Sequence, residues 1–287
     1  MNRFYVVCSR LCRIALAGAF GVLSTVFALP AGPAHAATSV KIKAKYVVNL
    51  SGLKVGELRF VGEIGRDSYD VTGTGKLTGL PQLFTTFTGE SVSRGTISDG
   101  SVHPAFHTIA YNTVKKDYST RIEYASGNVA RLELDPPYKE KQSRVPIEKK
   151  HKVDVIDPLS ATILPGPAKG PLIGPESCDR TLRIFDGRER FDVTLTSVGL
   201  GKVEAQEKGG YAGAVIVCRV DYKPIAGHRR DDPLVEKWSK TGAIEVWFAP
   251  LLEANALVLY RVQVPTPLGS AVIYPKAFLV STGGPEG

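Results

Sequence analysis

The chain has 287 residues, with 36 Lys and Arg against 28 Asp and Glu, long enough for one large β domain or two small ones around a substantial core. Its formal charge of +8 is spread thinly and makes no basic footprint, so nucleic acid is not expected as a partner. Neither a metal nor a cofactor is expected.

The first element is a targeting segment. Asn2, Arg3, Arg10 and Arg13 precede an apolar run from Ile14 to Leu29. Pro30, Gly32 and Pro33 then break the run, and Ala34-His35-Ala36 has the small-residue spacing of a signal-peptidase site. Residues 1–36 therefore read as a signal peptide cleaved after Ala36, and residues 37–287 as a single mainly β domain delivered to the periplasm. The run is short against the roughly 20 residues that span a bilayer. No second run approaches that length, so the exported part is expected to be soluble and to contact membranes only peripherally. Cys8 and Cys12 leave with the signal, and so do three basic residues, which lowers the charge to 33 positive against 28 negative.

Period-two alternation begins at once. Val40, Ile42, Ala44, Tyr46 and Val48 interleave with Lys41, Lys43 and Lys45, as in a strand with one wet face. Similar runs recur at 55–61, 69–74, 90–96, 105–111, 119–124 and 129–134. Turn residues separate them at Asn49–Gly52, Asp99-Gly100, Gly127-Asn128 and Pro136-Pro137. A charged stretch covers 138–152, and Asp157-Pro158 then opens a short helix expected near 157–164, Asp capping free amides and Pro fitting the first turn. The Pro- and Gly-rich stretch near 165–175 reads as a linker between two halves. Further strands follow at 181–185, 191–197, 211–222, 243–248, 257–264, 270–274 and 277–280. About a dozen short strands with regular turns predict an antiparallel barrel-like, spiral or sandwich domain.

Cys178 and Cys218 are the two cysteines left after cleavage. An even pair in an oxidising compartment predicts a disulfide, closing a loop for which chain entropy gives roughly 4 kcal/mol.

Several stretches in this order carry a family resemblance: Val48-Asn49 to Gly56, Asp99-Gly100 with His103-Pro104, and Val155-Ile156-Asp157-Pro158-Leu159-Ser160-Ala161. Phe185-Asp186-Gly187-Arg188 follows, then Cys218-Arg219-Val220 leading to Pro224-Ile225-Ala226-Gly227-His228, and finally Ile244-Glu245-Val246-Trp247-Phe248 with Tyr260-Arg261-Val262. Together they resemble the bacterial family called domain of unknown function 3108. The resemblance implies an exported envelope protein and supplies no catalytic residue.

No G-x-S-x-G elbow and no H-E-x-x-H are present. His103 and His107 would stand roughly 13 Å apart on a strand, too far to share an ion. Asp231-Asp232, Asp154 with Asp157, and Asp67 with Asp70 read as turn formers, and a glycosidase would need two of them converging in a cleft. No reaction is therefore expected. Two apolar stretches fall where polar turns belong, one with Phe84 and Phe87, the other, Phe248–Leu252 with Leu251, next to Trp247. They either plug a barrel end or gate a lipid or other amphiphile. In the second case Arg229 and Arg230, on a basic loop, are placed to meet anionic head groups. The expected function is a non-enzymatic periplasmic scaffold binding an amphiphile or an envelope partner. The alternatives are an interaction scaffold using β-edge addition and an envelope hydrolase.

Overall fold

The computed structural model describes residues 39–283, apart from 80, 81, 83, 84, 140 and 168. The signal-peptide expectation and Phe84 lie outside the described residues. Seven strands come first: β1 (Ser39–Leu50), β2 (Leu53–Ile64), β3 (Ser68–Leu77), β4 (Phe87–Ser98), β5 (Ser101–Thr113), β6 (Asp117–Ala125) and β7 (Asn128–Asp135). A short inner strand, β8 (Ile163–Pro165), follows a long irregular stretch. Then come β9 (Arg180–Phe185), β10 (Arg190–Val203), β11 (Gly213–Ala226), the helix α1 (Pro233–Thr241), β12 (Ile244–Leu251), β13 (Ala256–Thr266) and β14 (Gly269–Gly283).

The strands form one antiparallel sheet in the order β7-β6-β5-β4-β3-β2-β1-β14-β13-β12-β11-β10-β9. Two meanders are thus joined where the first and last strands pair, from Ser39↔Gly283 to Leu50↔Ala271. β8 takes the edge of β13 at Ala256–Val258, and β14 takes it at Val262–Thr266. Alternation sets the faces: Val40, Ile42, Ala44 and Tyr46 are buried, while Lys43 and Lys45 are exposed. Three tight turns, Ser51-Gly52, Asp99-Gly100 and Ser126-Gly127, have both central residues at positive φ, the geometry that matches strand twist in two-residue hairpins. The third is centred one residue earlier than the Gly127-Asn128 expected from sequence.

The sheet is not closed by a ladder between its end strands. An irregular strap bridges the gap instead. Val155 N–H donates to Gly127 O (3.0 Å), Ile156 N–H to Arg183 O (2.9 Å) and Phe185 N–H to Ile156 O (2.9 Å). The strap thereby ties the β6–β7 turn to β9, with the Arg183–Asp154 ion pair (2.8 Å) on its outer side.

The helix expected near 157–164 is a single 3-10 turn, Ser160–Thr162, because the chain enters β8 immediately afterwards and buries Ile163, Leu164 and Pro165. The α-helix forms at a later Asp-Pro pair, Asp232-Pro233. Asp232 accepts from Leu234 N (2.9 Å) and Val235 N (3.4 Å), and Gly242 ends the helix at φ 52°. The 165–175 stretch packs onto the second meander: Gly166 N–H donates to Asn255 O (2.7 Å), and Leu172 and Ile173 lie against the buried cluster that contains Leu164, Phe248 and Leu257. Cys178 and Cys218 are bonded inside that cluster, with Cα atoms 5.7 Å apart.

Candidate functional site: an apolar cavity under a strap

Strand register builds the site. Tyr46, Leu58, Gly75, Gly89, Tyr111 and Tyr118 are successive cross-strand partners from β1 to β6 and therefore share one face. Tyr46 is buried, its hydroxyl donating to Leu259 O (2.7 Å), so this is the inner face. Large side chains stand at both ends of the row, with two glycines between them. A Cβ on Gly75 would meet Leu58 Cδ2 at 2.8 Å, and one on Gly89 would meet Tyr111 Cβ at 2.9 Å. The glycine gap is the floor of a half-open cavity of about 260 Å³ with almost wholly apolar walls. Phe87, Ile109, Tyr260 and Ile273 line its sides, and Leu159 and Thr162 of the strap cover it.

A buried polar cluster holds the strap in place. Asp157 Oδ1 accepts from Leu159 N and Ser160 N, both at 2.9 Å, so the carboxylate caps the 3-10 turn. Oδ2 accepts from Ser160 Oγ (2.5 Å) and from Ser93 Oγ of β4 (2.9 Å). With both serine protons committed to the carboxylate, Tyr69 is left as the donor to Ser160 Oγ (2.7 Å). His107 Nδ1 lies 3.1 Å from Oδ1, off the line of an aligned hydrogen bond. Burial alone would raise the Asp157 pKa. The His107 contact and the Ser160 bonds outweigh it and hold the carboxyl below its usual value. The cluster contains Ser, His and Asp, but the aspartate sits between the histidine and the serines, the reverse of a nucleophilic triad. It pins the strap to β3, β4 and β5.

The histidine spacing deceives on a regular strand. Gly95 pairs with Pro104 and Arg94 with Phe106, so Ala105 is bulged out of β5. The bulge shifts the alternation, leaving His103 exposed and His107 buried.

Of the residues singled out from sequence, Phe87 lines the cavity, and its ring lies 5.6 Å from that of Tyr111. Trp247 borders a neighbouring cleft under Arg261, whose guanidinium lies 4.8 Å from the indole centroid. Leu251 is 1% exposed, in the core, and does not line the cavity. Arg229 and Arg230 sit on the exposed loop before α1, Arg229 paired with Asp231 (3.2 Å), and neither reaches the cavity. Gly75, Gly89, Tyr111 and Leu159 gave no local signal as site residues, since their role depends on register.

Fold and site together define an all-β, barrel-like protein whose curved sheet is held shut by an irregular strap over an apolar cavity. Residues 45–275 match the family described as "Protein of unknown function (DUF3108)", and the chain belongs to that family. Solved structures similar to it include the following two. One is a β-barrel-like protein of domain of unknown function DUF1849 from Brucella abortus, 10% identical, with 86% of this chain and 98% of that one covered and a TM-score of 0.46. The other is a DUF1329 family protein from Desulfovibrio piger, 9% identical, with 88% of each chain covered and a TM-score of 0.21. No curated protein matches the chain.

Proposed function

We propose that this chain is an exported periplasmic envelope protein that works by binding and not by catalysis, and that its ligand is an amphiphile whose acyl part lies under the strap. The carrying observation is the glycine-floored apolar cavity. Its volume of about 260 Å³ exceeds the roughly 150 Å³ that suffices for one benzene. It falls just below the roughly 300–1,000 Å³ of drug-sized ligand sites. That suits one short acyl chain and excludes a whole diacyl lipid. The Cys178–Cys218 bond supports an oxidising compartment, and no described helix is long and apolar enough to cross a membrane.

The test is fluorescence titration of the exported protein with 11-(dansylamino)undecanoic acid. Saturable binding near one per chain, competed by decanoate, is expected. Absence of saturable binding by the folded protein contradicts the reading.

A further inference from the structure

The inner-face row does not stop at the cavity. Beyond Gly89 it continues through Tyr111 and Tyr118, whose rings stack at 4.9 Å with 12° between their planes. Both tyrosines line a second cleft of about 620 Å³, bounded by Pro136–Lys139, by Lys141 and Arg144, and by the β9–β10 turn. Phe87 of the cavity wall touches Tyr111 directly, so the cleft begins one ring contact from the acyl cavity.

The two spaces differ in chemistry. Among the described residues Lys116, Lys139, Lys141, Arg144 and Arg188 line the cleft, against Asp186 and Glu189, a formal excess of three positive charges. Arg144 is paired with Glu189 (3.3 Å). Asp186 Oδ1 is occupied by the backbone N–H groups of Arg188 (2.8 Å) and Glu189 (2.6 Å). Burial raises the pKa of Asp186, and burial with the Asp186 charge raises that of Glu189. Lys116, Lys139 and Lys141 are exposed and have no carboxylate partner among the described residues.

Arg188 is set differently from these exposed lysines. Its guanidinium lies over the Tyr118 ring at 5.6 Å, and Nη2 donates to Asp135 O (3.3 Å) and Pro136 O (2.9 Å). The plane is fixed by a ring and two carbonyls. Nε and Nη1 make no protein bond, and Arg188 forms no ion pair, among the described residues. A half-buried guanidinium oriented in this way, with the three N–H donors of Nε and Nη1 left over, is a receptor for a phosphate or carboxylate.

We infer that the cleft is an oxyanion site centred on Arg188, which takes the phosphate or carboxylate head group of the amphiphile whose chain occupies the cavity. The inference rests on the amphiphile reading for the source of the anion, and on the cleft's own geometry for its recognition. Lys116, Lys139 and Lys141 add a field that draws the anion in and weakens with salt.

The experiment is calorimetric titration of the exported protein with decyl phosphate, decanol and inorganic phosphate, each below micelle-forming concentrations, for the parent, Arg188→Gln and the double variant K139Q/K141Q. Decyl phosphate should bind at least tenfold tighter than decanol. Arg188→Gln should erase that advantage and leave decanol affinity unchanged, and the exposed lysine pair should lose several-fold without loss of melting temperature. Equal binding of decyl phosphate and decanol by the parent, or unchanged decyl phosphate binding by both variants, overturns the oxyanion site while the cavity stands. Binding of inorganic phosphate as tightly as decyl phosphate, abolished in Arg188→Gln, keeps the oxyanion site but overturns the head-group assignment. Failure of both decyl compounds overturns the acyl cavity instead.

Discussion

Gly75 and Gly89 are direct partners across β3 and β4, and that pairing opens a gap in a row otherwise filled by Leu58 on one side and Tyr111 on the other. A side chain at either position would collide with its neighbour or fill the gap. The cavity is therefore a consequence of register, and its walls are the places to probe it.

Filling and core truncation should separate function from stability. Ser91 lines the cavity and is half-buried, so Ser91→Phe should weaken dansyl-undecanoate binding at least tenfold with little change in melting temperature. Leu251→Ala should do the opposite, costing about 2–5 kcal/mol in urea unfolding while binding persists at low denaturant. Fluorescence titration beside urea melts distinguishes the two.

The signal-peptide reading predicts an exported protein that begins at Ala37 and contains no free thiol, with Cys8 and Cys12 lost on cleavage and Cys178 bonded to Cys218. N-terminal sequencing and thiol labelling of unreduced protein check both points. Replacing both Cys178 and Cys218 by Ser should cost roughly 4 kcal/mol, read by denaturant unfolding, since the bond closes a loop with a sequence separation of 40.

Buried Asp157 and half-buried Asp186 should shift the pH dependence of stability in opposite directions. The Asp157 pKa is depressed by folding, so its contribution is present above the ordinary carboxylate pKa of about 4 and is lost as pH falls through the lower folded value. Asp157→Asn should flatten the acid limb of stability against pH and lower stability at neutral pH. The Asp186 pKa is raised by burial, so its contribution is full below about pH 4 and is lost as pH rises through the folded value. Asp186→Asn should therefore gain stability relative to the parent as pH increases. Urea melts from pH 3 to 8 measure both slopes.

Gly187 tests the closure of the sheet. It has φ 94°, and a Cβ there would meet Thr120 Cγ2 at 2.5 Å, so the β9–β10 turn fits against β6 only without a side chain. Gly187→Ala should cost more than about 1 kcal/mol and should speed hydrogen exchange at Val155, Ile156 and Phe185, whose amides stitch the strap to the sheet.

Much of the architecture was legible in the sequence. The Val40–Val48 alternation marks an inner and an outer face, Asp99-Gly100 marks a tight turn, and the cysteine pair marks a disulfide, because each signal is local or follows from elimination. The order of sequence stretches also pointed to the right family. Asp157-Pro158 and Asp232-Pro233 show the limit of local reading. Both aspartates cap a turn, but the first is followed by Ile163-Leu164-Pro165, which tertiary burial recruits as a strand, and the second by a sequence free to continue as a helix. The site was the least legible part. Phe87 stood out as an apolar residue in a turn-like stretch, whereas Gly75, Gly89 and Tyr111 meet only through pairing, and the bulge at Ala105 alone turns His107 inward.

The central claim is that an acyl chain lies between the glycine floor and the strap. The most direct measurement is isotope-filtered nuclear Overhauser spectroscopy of the labelled exported protein with unlabelled decanoate. Contacts from the chain methylenes to the methyl groups of Leu58, Ile109 and Leu159 are predicted, since all three line the cavity. Saturating decanoate that contacts other methyl groups and none of these three would contradict the account.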